Sequence, residues 1–166
     1  MIEQHYLDES LAQLRKLKAQ AERAVEQIDD RAFFALLDPG ANSIALIMKH
    51  VAGNMQSRWT DFLTSDGEKP NRDRDSEFEQ EPADTRATIT AGWERGWSTL
   101  FGAISSLRPD QLSSTVTIRN EPHTVVQAIN RQVSHYSAHV GQIVLLAKHF
   151  AGPQWRTLSI PKRAKV

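Results

Sequence analysis

The sequence predicts an all-α protein folded as a four-helix bundle. Apolar residues recur at alternating steps of three and four in four long segments, and each segment carries one apolar stripe. The second and third segments are joined by residues 64–83, a connection long enough to cross over the end of a bundle. Four such helices bury their stripes most simply against one another. We expect one domain, residues 1–166.

The first two helices are predicted from their stripes and from the turn residues that follow them. The stripe of the first helix consists of Leu7, Leu11, Leu14, Ala21, Val25 and Ile28. That of the second consists of Ile44, Met48, Val51, Met55 and Phe62. Asn42 or Ser43 is a suitable N-cap for the second helix, which should end near Leu63 because Asp66 and Gly67 favour a turn. Between the two helices, residues 29–40 are expected to form a short packed turn.

The third and fourth helices have similar signals. The stripe of the third consists of Ile89, Trp93, Trp97, Leu100, Ile104 and Leu107. That of the fourth consists of Val126, Ile129, Val133, Tyr136, Val140, Ile143 and Ala147. Asp84 or Thr85 should begin the third helix, which Pro109 ends, and Gly152 and Pro153 close the fourth. Before the fourth helix, residues 115–118 and the following residues 119–122 predict a short strand or hairpin arm.

Composition excludes several classes of function. Twenty basic and twenty acidic residues give zero formal charge, so we expect neither nucleic acid nor an anionic membrane as a partner. The absence of cysteine excludes disulfides, thiolate metal sites and a cysteine nucleophile. The N-terminus lacks the apolar core of a signal peptide, and no apolar run is long enough to span a membrane. A cytoplasmic location is therefore expected.

Histidine spacing predicts a metal site. His135 and His139 lie four residues apart in the fourth helix, so both rings can reach one point and bind a divalent ion. They lie about 100° to the side of the core stripe, at the edge of the buried face. His50 has the same phase beside Val51 in the second helix, and would supply the third ligand that a catalytic zinc-like site requires.

Several other side chains are candidates for the surroundings of this site. Gln142 continues the edge that carries the histidine pair, while Gly53 and Asn54 would leave room and a polar group near His50. The remaining histidines fit less well. His5 lies in a terminus expected to fray, His123 in the turn before the fourth helix, and His149 near its end. Of these, His123 is the best substitute ligand.

Together these motifs resemble a known superfamily. A histidine in the second helix and the stretch "HYSAHVGQI" in the fourth resemble the DinB/YfiT-like superfamily of bacterial four-helix proteins. The stretch "KHVAGNMQSRWTDFLTSDGEKPNRDRDSEFE" resembles a branch that is classified as a domain of unknown function. The resemblance covers nearly the whole chain. It implies that His50, His135 and His139 hold a divalent metal, with zinc or nickel as the expected ion, and that Gly141 and Gln142 complete the motif.

The resemblance also implies a topology and a range of activities. The fold would be an up-down-down-up bundle with a long crossover between the second and third helices, and many members form homodimers. Members with known activity use the metal to activate a low-molecular-weight thiol, as bacillithiol transferases and mycothiol-dependent maleylpyruvate isomerase do. Others are classified as metal-dependent hydrolases. A homodimer that acts on a small-molecule substrate is therefore expected.

Two enzymatic mechanisms and one non-enzymatic role remain open. The ion would activate either an incoming thiol, which then attacks an electrophile, or a water molecule that hydrolyses a substrate. Because no acidic residue lies within one helical turn of the three histidines in the sequence, a general base for hydrolysis is not evident, and thiol transfer is favoured. Glu94 or the acidic crossover could still approach in three dimensions. Alternatively, the bundle is a non-enzymatic dimer with a structural metal.

The charged crossover has two interpretations. It is either a solvated connection or a rim over the metal, where Arg72 or Arg74 would bind a carboxylate of the cosubstrate bidentately. Arg58, two turns after His50 and in similar phase, could serve the same purpose. Its neighbour Trp59 is expected to contribute to packing.

Overall fold

The computed structural model describes residues 2–161 and is mostly helical. Its α-helices are α1 (Ile2–Val25), α2 (Asp30–Phe34), α3 (Ile44–Trp59), α4 (Arg86–Ser105) and α5 (Val125–Ala151). Two short strands, β1 (Thr115–Ile118) and β2 (Glu121–Thr124), form an antiparallel hairpin. This architecture is compatible with the predicted all-α bundle, and it includes the predicted hairpin arm. In this part of the chain, no helix is both long and apolar enough to cross a membrane.

Side-chain caps fix the start of three long helices. Ser43 accepts a hydrogen bond from the Leu46 N–H at the start of α3, and Thr85 and Thr124 form capping boxes at α4 and α5. Ser43 and Thr85 are among the predicted caps. In contrast to the prediction of a frayed terminus, α1 begins at Ile2 and includes His5.

The end of α3 differs from the prediction. The helix stops at Trp59 and does not continue to Leu63, because Thr60 is extended and Asp61 has a positive φ of 48°. The apolar pattern misleads at this point. Phe62 lies beyond the helix but is buried against Trp59, with ring centroids 4.7 Å apart, so it continues the stripe from a turn.

Each of the four long helices packs against two of the others: α3 contacts α4 and α5, and α1 also contacts α4 and α5. Their stripes form one core that contains the fully buried rings of Trp93, Trp97 and Tyr136. The close contact between α3 and α4 at Ala52 depends on Gly96, since a Cβ atom at this position would lie only 3.1 Å from the backbone of Ala52. Burial of these apolar faces is the main stabilising contribution to the fold.

The crossover between α3 and α4 is attached to the hairpin at one end. The Gly67 N–H donates to the Thr117 carbonyl at 2.8 Å, and the Asp66 carboxylate accepts from the backbone N–H groups of Arg119 and Asn120 at 2.9 and 2.8 Å. Arg119 and Asn120 form the hairpin turn, and both have a positive φ. Non-glycine residues adopt this conformation at some cost, which the two hydrogen bonds to Asp66 offset.

Helix α3 holds the same part of the crossover from the other side. The buried Ser57 hydroxyl donates to the Gly67 carbonyl at 3.0 Å and accepts from the Lys69 N–H at 2.9 Å. Further along, a 3₁₀ turn at Ser76–Phe78 packs on α3. The crossover is therefore an ordered segment folded along α3, and Glu77 within it is buried.

Candidate metal centre

Helices α3 and α5 bring His50, His135 and His139 together. The Nε2 atom of His135 lies 3.4 Å from that of His50 and 3.1 Å from that of His139. One nitrogen from each ring lies within 4.8 Å of the other two. In the described part of the chain, this is the one group of three or more potential ligands close enough to hold a metal ion. His50 is buried, and the α5 pair is half-buried.

The nitrogen spacing is suitable for a shared ion. Imidazole nitrogens bind zinc at about 2.1 Å, so two of them on a tetrahedral ion are about 3.4 Å apart. The two distances to His135 Nε2, 3.4 and 3.1 Å, are close to this value. Three imidazoles are also the donor set of a site that keeps a position for another ligand. These residues therefore fit a divalent ion.

His50 is oriented by a carboxylate from the crossover. Its Nδ1 atom lies 2.8 Å from Glu77 Oε2, and both side chains are buried. With Nδ1 donating to the carboxylate, the lone pair of Nε2 points away from Glu77, towards His135. The ring of Phe78 packs on His50 with centroids 4.5 Å apart. Such a carboxylate contact fixes the tautomer of a ligand histidine and makes it a stronger donor.

Gly53 makes room for Glu77. A Cβ atom at position 53 would overlap Glu77 Oε1 and lie 2.7 Å from its Cδ. Because Gly53 is three residues after His50, it lies on nearly the same face of α3. The absence of a side chain here allows the Glu77 carboxylate to lie against the helix and reach the imidazole.

Arg72 holds Glu77 from the other side. Its Nε donates to Glu77 Oε1 and its Nη2 to Oε2, both at 2.8 Å, while Nη1 donates to Glu68 Oε1 at 3.0 Å. Burial alone would raise the pKa of Glu77, but hydrogen bonds from His50 and Arg72 and the charge of Arg72 hold it below its usual value. Glu77 is thus kept ionised as the partner of His50.

The Nδ1 atoms of the two α5 histidines have weaker hydrogen-bond partners than that of His50, or none among the described residues. His139 Nδ1 lies 2.9 Å from Oε1 of the exposed Gln142, and His135 Nδ1 is buried without a partner among the described residues. Burial, followed by the neighbouring His139 and His50 and the charges of two arginines, lowers the pKa of His135 to about 3. Burial also lowers the pKa of His139. Both rings are therefore neutral near pH 7, as metal ligands must be.

A buried hydrogen-bonded chain packs beside the site. The Trp59 indole N–H donates to the Tyr136 hydroxyl at 3.1 Å, which donates to Asn54 Oδ1 at 3.0 Å. Tyr136 is fully buried next to His135, and burial raises its pKa. These hydrogen bonds link α3 to α5 behind the histidines, so Trp59 has a packing role and Asn54 is held in place.

A cavity of about 370 Å³ opens beside the histidines and is rich in arginine. Its lining residues are His50, Asn54, Arg58, Arg72, Arg74, Arg119, Arg131, Gln132 and His135. Of the three arginines expected near the site, Arg58 is buried, Arg72 is half-buried with its side chain only 5% exposed, and Arg74 is exposed. All three guanidinium nitrogens of Arg72 donate to carboxylates of its own chain, whereas Arg74 lies over the Phe78 ring, 5.0 Å from its centroid.

The other candidates lie elsewhere. His5, His123 and His149 are not part of the histidine cluster, and His123 Nδ1 instead lies 3.0 Å from the Glu121 carbonyl. Glu94, which could have approached the site, pairs with Lys18 at 2.9 Å. The acidic residue that does reach the site is Glu77. Its position in "DSEFE" carries no periodic signal, so the sequence did not single it out.

Gln132, which lines the cavity, is another residue that the sequence reasoning did not single out. It lies one turn before His135 on α5 and is buried. The spacing of three residues was available as a signal, because it places both side chains on one helix face.

Comparison with known families identifies one that covers nearly the whole chain. The sequence model of a family described as "Protein of unknown function (DUF1572)" matches residues 1–164. No curated protein matches the chain significantly. Since the match covers nearly all of the sequence, the chain belongs to the DUF1572 family.

Proposed function

We propose that this protein is a divalent-metal-dependent enzyme that acts on small molecules, with thiol S-transfer as its reaction. The observation that carries the proposal is the convergence of three histidine Nε2 atoms beside an open cavity of about 370 Å³, which His50 and His135 line. A purely structural ion is usually enclosed by four protein ligands, whereas three ligands beside a cavity leave a position for a substrate.

The ion, when bound, would lower the pKa of a thiol or a water molecule in the open position. The chain contributes orientation and charge. Glu77 holds His50 in one tautomer, and the neutral rings of His135 and His139 leave the positive charge of the site undiminished. In the reaction, the thiol loses its proton to solvent, its sulfur forms a bond to an electrophilic carbon, and the leaving group departs with the electron pair.

The surroundings of the cavity favour thiol transfer over hydrolysis. Glu77 is buried and occupied by His50 and Arg72, so its carboxylate is not free to take a proton from water. Glu68 is likewise bound to Arg72 and Arg119. Hydrolysis usually requires a positioned general base. The chain also has no cysteine to compete with an incoming thiol for the ion.

Three further features belong to this proposal. We propose membership of the DinB/YfiT-like superfamily, with its up-down-down-up helix directions, on the strength of the two histidine motifs. A homodimer is expected from the same resemblance, and light scattering after size-exclusion chromatography tests it. Zinc and nickel are the proposed ions, because imidazole is a suitable ligand for both.

The decisive experiment measures metal content and thiol transfer in the same preparations. Wild type should bind about one zinc or nickel ion per chain, and His135→Ala should lose this binding, while His149→Ala, an exposed histidine outside the cluster, keeps it. Low-molecular-weight thiols are then assayed with an aryl chloride, with and without the ion. Ion-dependent turnover supports the proposal.

The same assay separates the alternatives. Ion-dependent hydrolysis of ester or amide substrates without thiol transfer would favour a hydrolase. A bound ion that raises the melting temperature, with no turnover in either assay, would favour the non-enzymatic bundle with a structural metal. A wild-type protein that binds no divalent ion at neutral pH would contradict the proposal.

A further inference from the structure

The cavity beside the histidines contains buried polar atoms that lack partners. In residues 2–161, five buried side-chain polar atoms lack partners: one is Nε1 of Trp97, away from the cavity, and the other four are Nε and Nη1 of Arg58, Oε1 of Gln132 and Nδ1 of His135. All three residues line the same cavity. An unpaired buried polar group costs roughly 1–3 kcal/mol, and more when it is charged. Three such residues around one cavity indicate that a ligand supplies their partners.

Arg58 is the strongest of the three indications. It is only 2% exposed, and among residues 2–161 its side chain makes a single, long hydrogen bond, from Nη2 to Glu68 Oε2 at 3.4 Å. The Glu68 carboxylate is shared, since Arg72 and Arg119 also donate to it at 3.0 and 3.1 Å. A guanidinium stays charged even when buried, so Arg58 lacks adequate compensation within its own chain.

The remaining arginines add to an excess of positive charge. Arg74, Arg119 and Arg131 are exposed at the mouth of the cavity, which five arginines line in all. Among the described residues, Arg72 pairs with Glu77 and shares Glu68 with Arg58 and Arg119, while Arg74 pairs with the exposed Asp75, so these five arginines face only three partner carboxylates. The chain as a whole has zero formal charge, and this concentration of arginines is therefore a local feature. Clefts lined by one sign of charge attract ligands of the opposite sign.

We propose that this cavity is a binding site for a small-molecule oxyanion, a carboxylate or a phosphate, which pairs with Arg58. Arginine suits this role because its planar fork matches both groups. A hydrogen-bond donor on the same molecule would pair with Gln132 Oε1, next to His135. The inference rests on the proposed function in one respect, namely that the anionic molecule is the substrate or cosubstrate of the metal centre.

The test measures anion binding by calorimetry on metal-depleted protein, with succinate and inorganic phosphate as probes and the uncharged succinamide for comparison. Wild type should bind at least one of the two anions with a dissociation constant of about 1 mM or lower, and succinamide should not bind. Preference for succinate or for phosphate assigns the oxyanion as a carboxylate or a phosphate.

Variants then connect binding to the named arginines. Arg58→Met should weaken binding at least about tenfold, the loss of one charge-assisted interaction. Arg131→Gln, at an exposed position that should not affect folding, should weaken it about threefold through the lost charge. Arg108→Gln is the matched control, because Arg108 is exposed, pairs with Asp110 and lies outside the cavity, and it should bind like wild type.

Each outcome decides the proposal. Unchanged binding in a folded Arg58→Met variant, or succinamide binding as tight as succinate binding, would overturn it. If Arg58→Met does not fold, Arg131→Gln and the succinamide comparison decide. Stoichiometric zinc binding without anion binding overturns the anion site and leaves the metal centre. Arginine-dependent anion binding in a protein that binds no zinc overturns the proposed function and leaves the anion site.

Discussion

His50 and His139 contribute to the same cluster but are held in different ways. His50 is buried, and its Nδ1 is bonded to Glu77, a residue 27 positions later in the crossover, which is itself clamped by Arg72. His139 is half-buried, and its Nδ1 is bonded to Gln142, three positions later on the same helix and exposed. One ligand depends on tertiary structure and the other on local helical geometry.

The difference indicates which side of the site, that of His50 and the crossover or that of α5, contributes more to the affinity for the metal ion. A buried contact to a charged group is strong and costly to lose, because water cannot replace the missing partner. An exposed contact to a neutral amide is readily replaced by water. We therefore expect the crossover side to dominate the energetics of metal binding, with the α5 side contributing mainly its ring nitrogens. The following changes, from the largest effect to the smallest, test this comparison.

Glu77→Gln should have the largest effect on affinity. The amide retains the shape of Glu77 but removes the negative charge from between His50 and Arg72, and loss of such a partner typically lowers metal affinity about 10–100-fold. The free energy of unfolding should also fall, since breaking a buried ion pair leaves Arg72 short of a partner. Zinc affinity measured by competition with a chelating dye checks the first effect. Glu79→Gln, at an exposed position two residues later, is the control.

Gly53→Ala should have the next largest effect. Replacing glycine in a helix with alanine usually stabilises it by up to about 1 kcal/mol. At position 53 the new methyl group would displace Glu77, so zinc affinity should fall about tenfold. Gly102→Ala is the matched control, because nothing lies within 4 Å of a Cβ atom at this helical position. An increase in stability with unchanged affinity in Gly53→Ala would show that Glu77 is not held close to His50.

Gln142→Leu should have a smaller effect, about a threefold loss of zinc affinity, because water can replace the amide at His139 Nδ1. The measurement is the same dye competition, with Gln56→Leu, an exposed glutamine on α3, as the control. If Gln142→Leu weakens zinc binding as much as Glu77→Gln does, the crossover side of the site does not contribute more to zinc affinity than the α5 side, and the proposed difference is wrong.

Asp66→Asn should have the smallest effect and act on stability. Burial alone would raise the pKa of Asp66, but hydrogen bonds from the backbone of Glu68, Asn120 and Arg119 lower it. A lowered pKa in the folded state stabilises the protein above the unfolded value of about 3.9, and the contribution disappears as the pH falls through the folded value.

We therefore expect Asp66→Asn to lose about 0.5 kcal/mol at pH 7, and the difference from wild type to vanish at strongly acidic pH. Urea denaturation at several pH values measures it, with Asp75→Asn, an aspartate of the same crossover whose side chain is 91% exposed, as the control. A difference that grows as the pH falls would contradict this assignment of Asp66.

The sequence predicted the parts of the site that depend on helical geometry. His135 and His139 are related by a spacing that any helix places on one face, and the phase of His50 could be read from Val51. The long helices and the hairpin followed from periodicity and turn residues. Helix ends were less predictable, since Phe62 continues the apolar pattern after the backbone has turned at Asp61.

Glu77 and the partners of Arg72 could not be predicted, because the crossover has no repeating pattern. Its conformation depends on contacts with Ser57 and the hairpin, which come together only in the folded chain. For the same reason, the surroundings of the Arg58 side chain could not be predicted. Its helix position was evident, but the sequence could not show that two of its nitrogens would be buried without partners.

The attachment of the crossover to the hairpin has a consequence for how this chain can tolerate changes in length. Gly67 is fixed by Thr117 and Ser57, so the ten residues from Glu68 to Glu77 span a set distance to His50. An insertion or deletion within them would move the carboxylate away from the imidazole. Residues 79–83, which follow the 3₁₀ turn, are exposed and lie outside this span, so length variation among related chains should concentrate there.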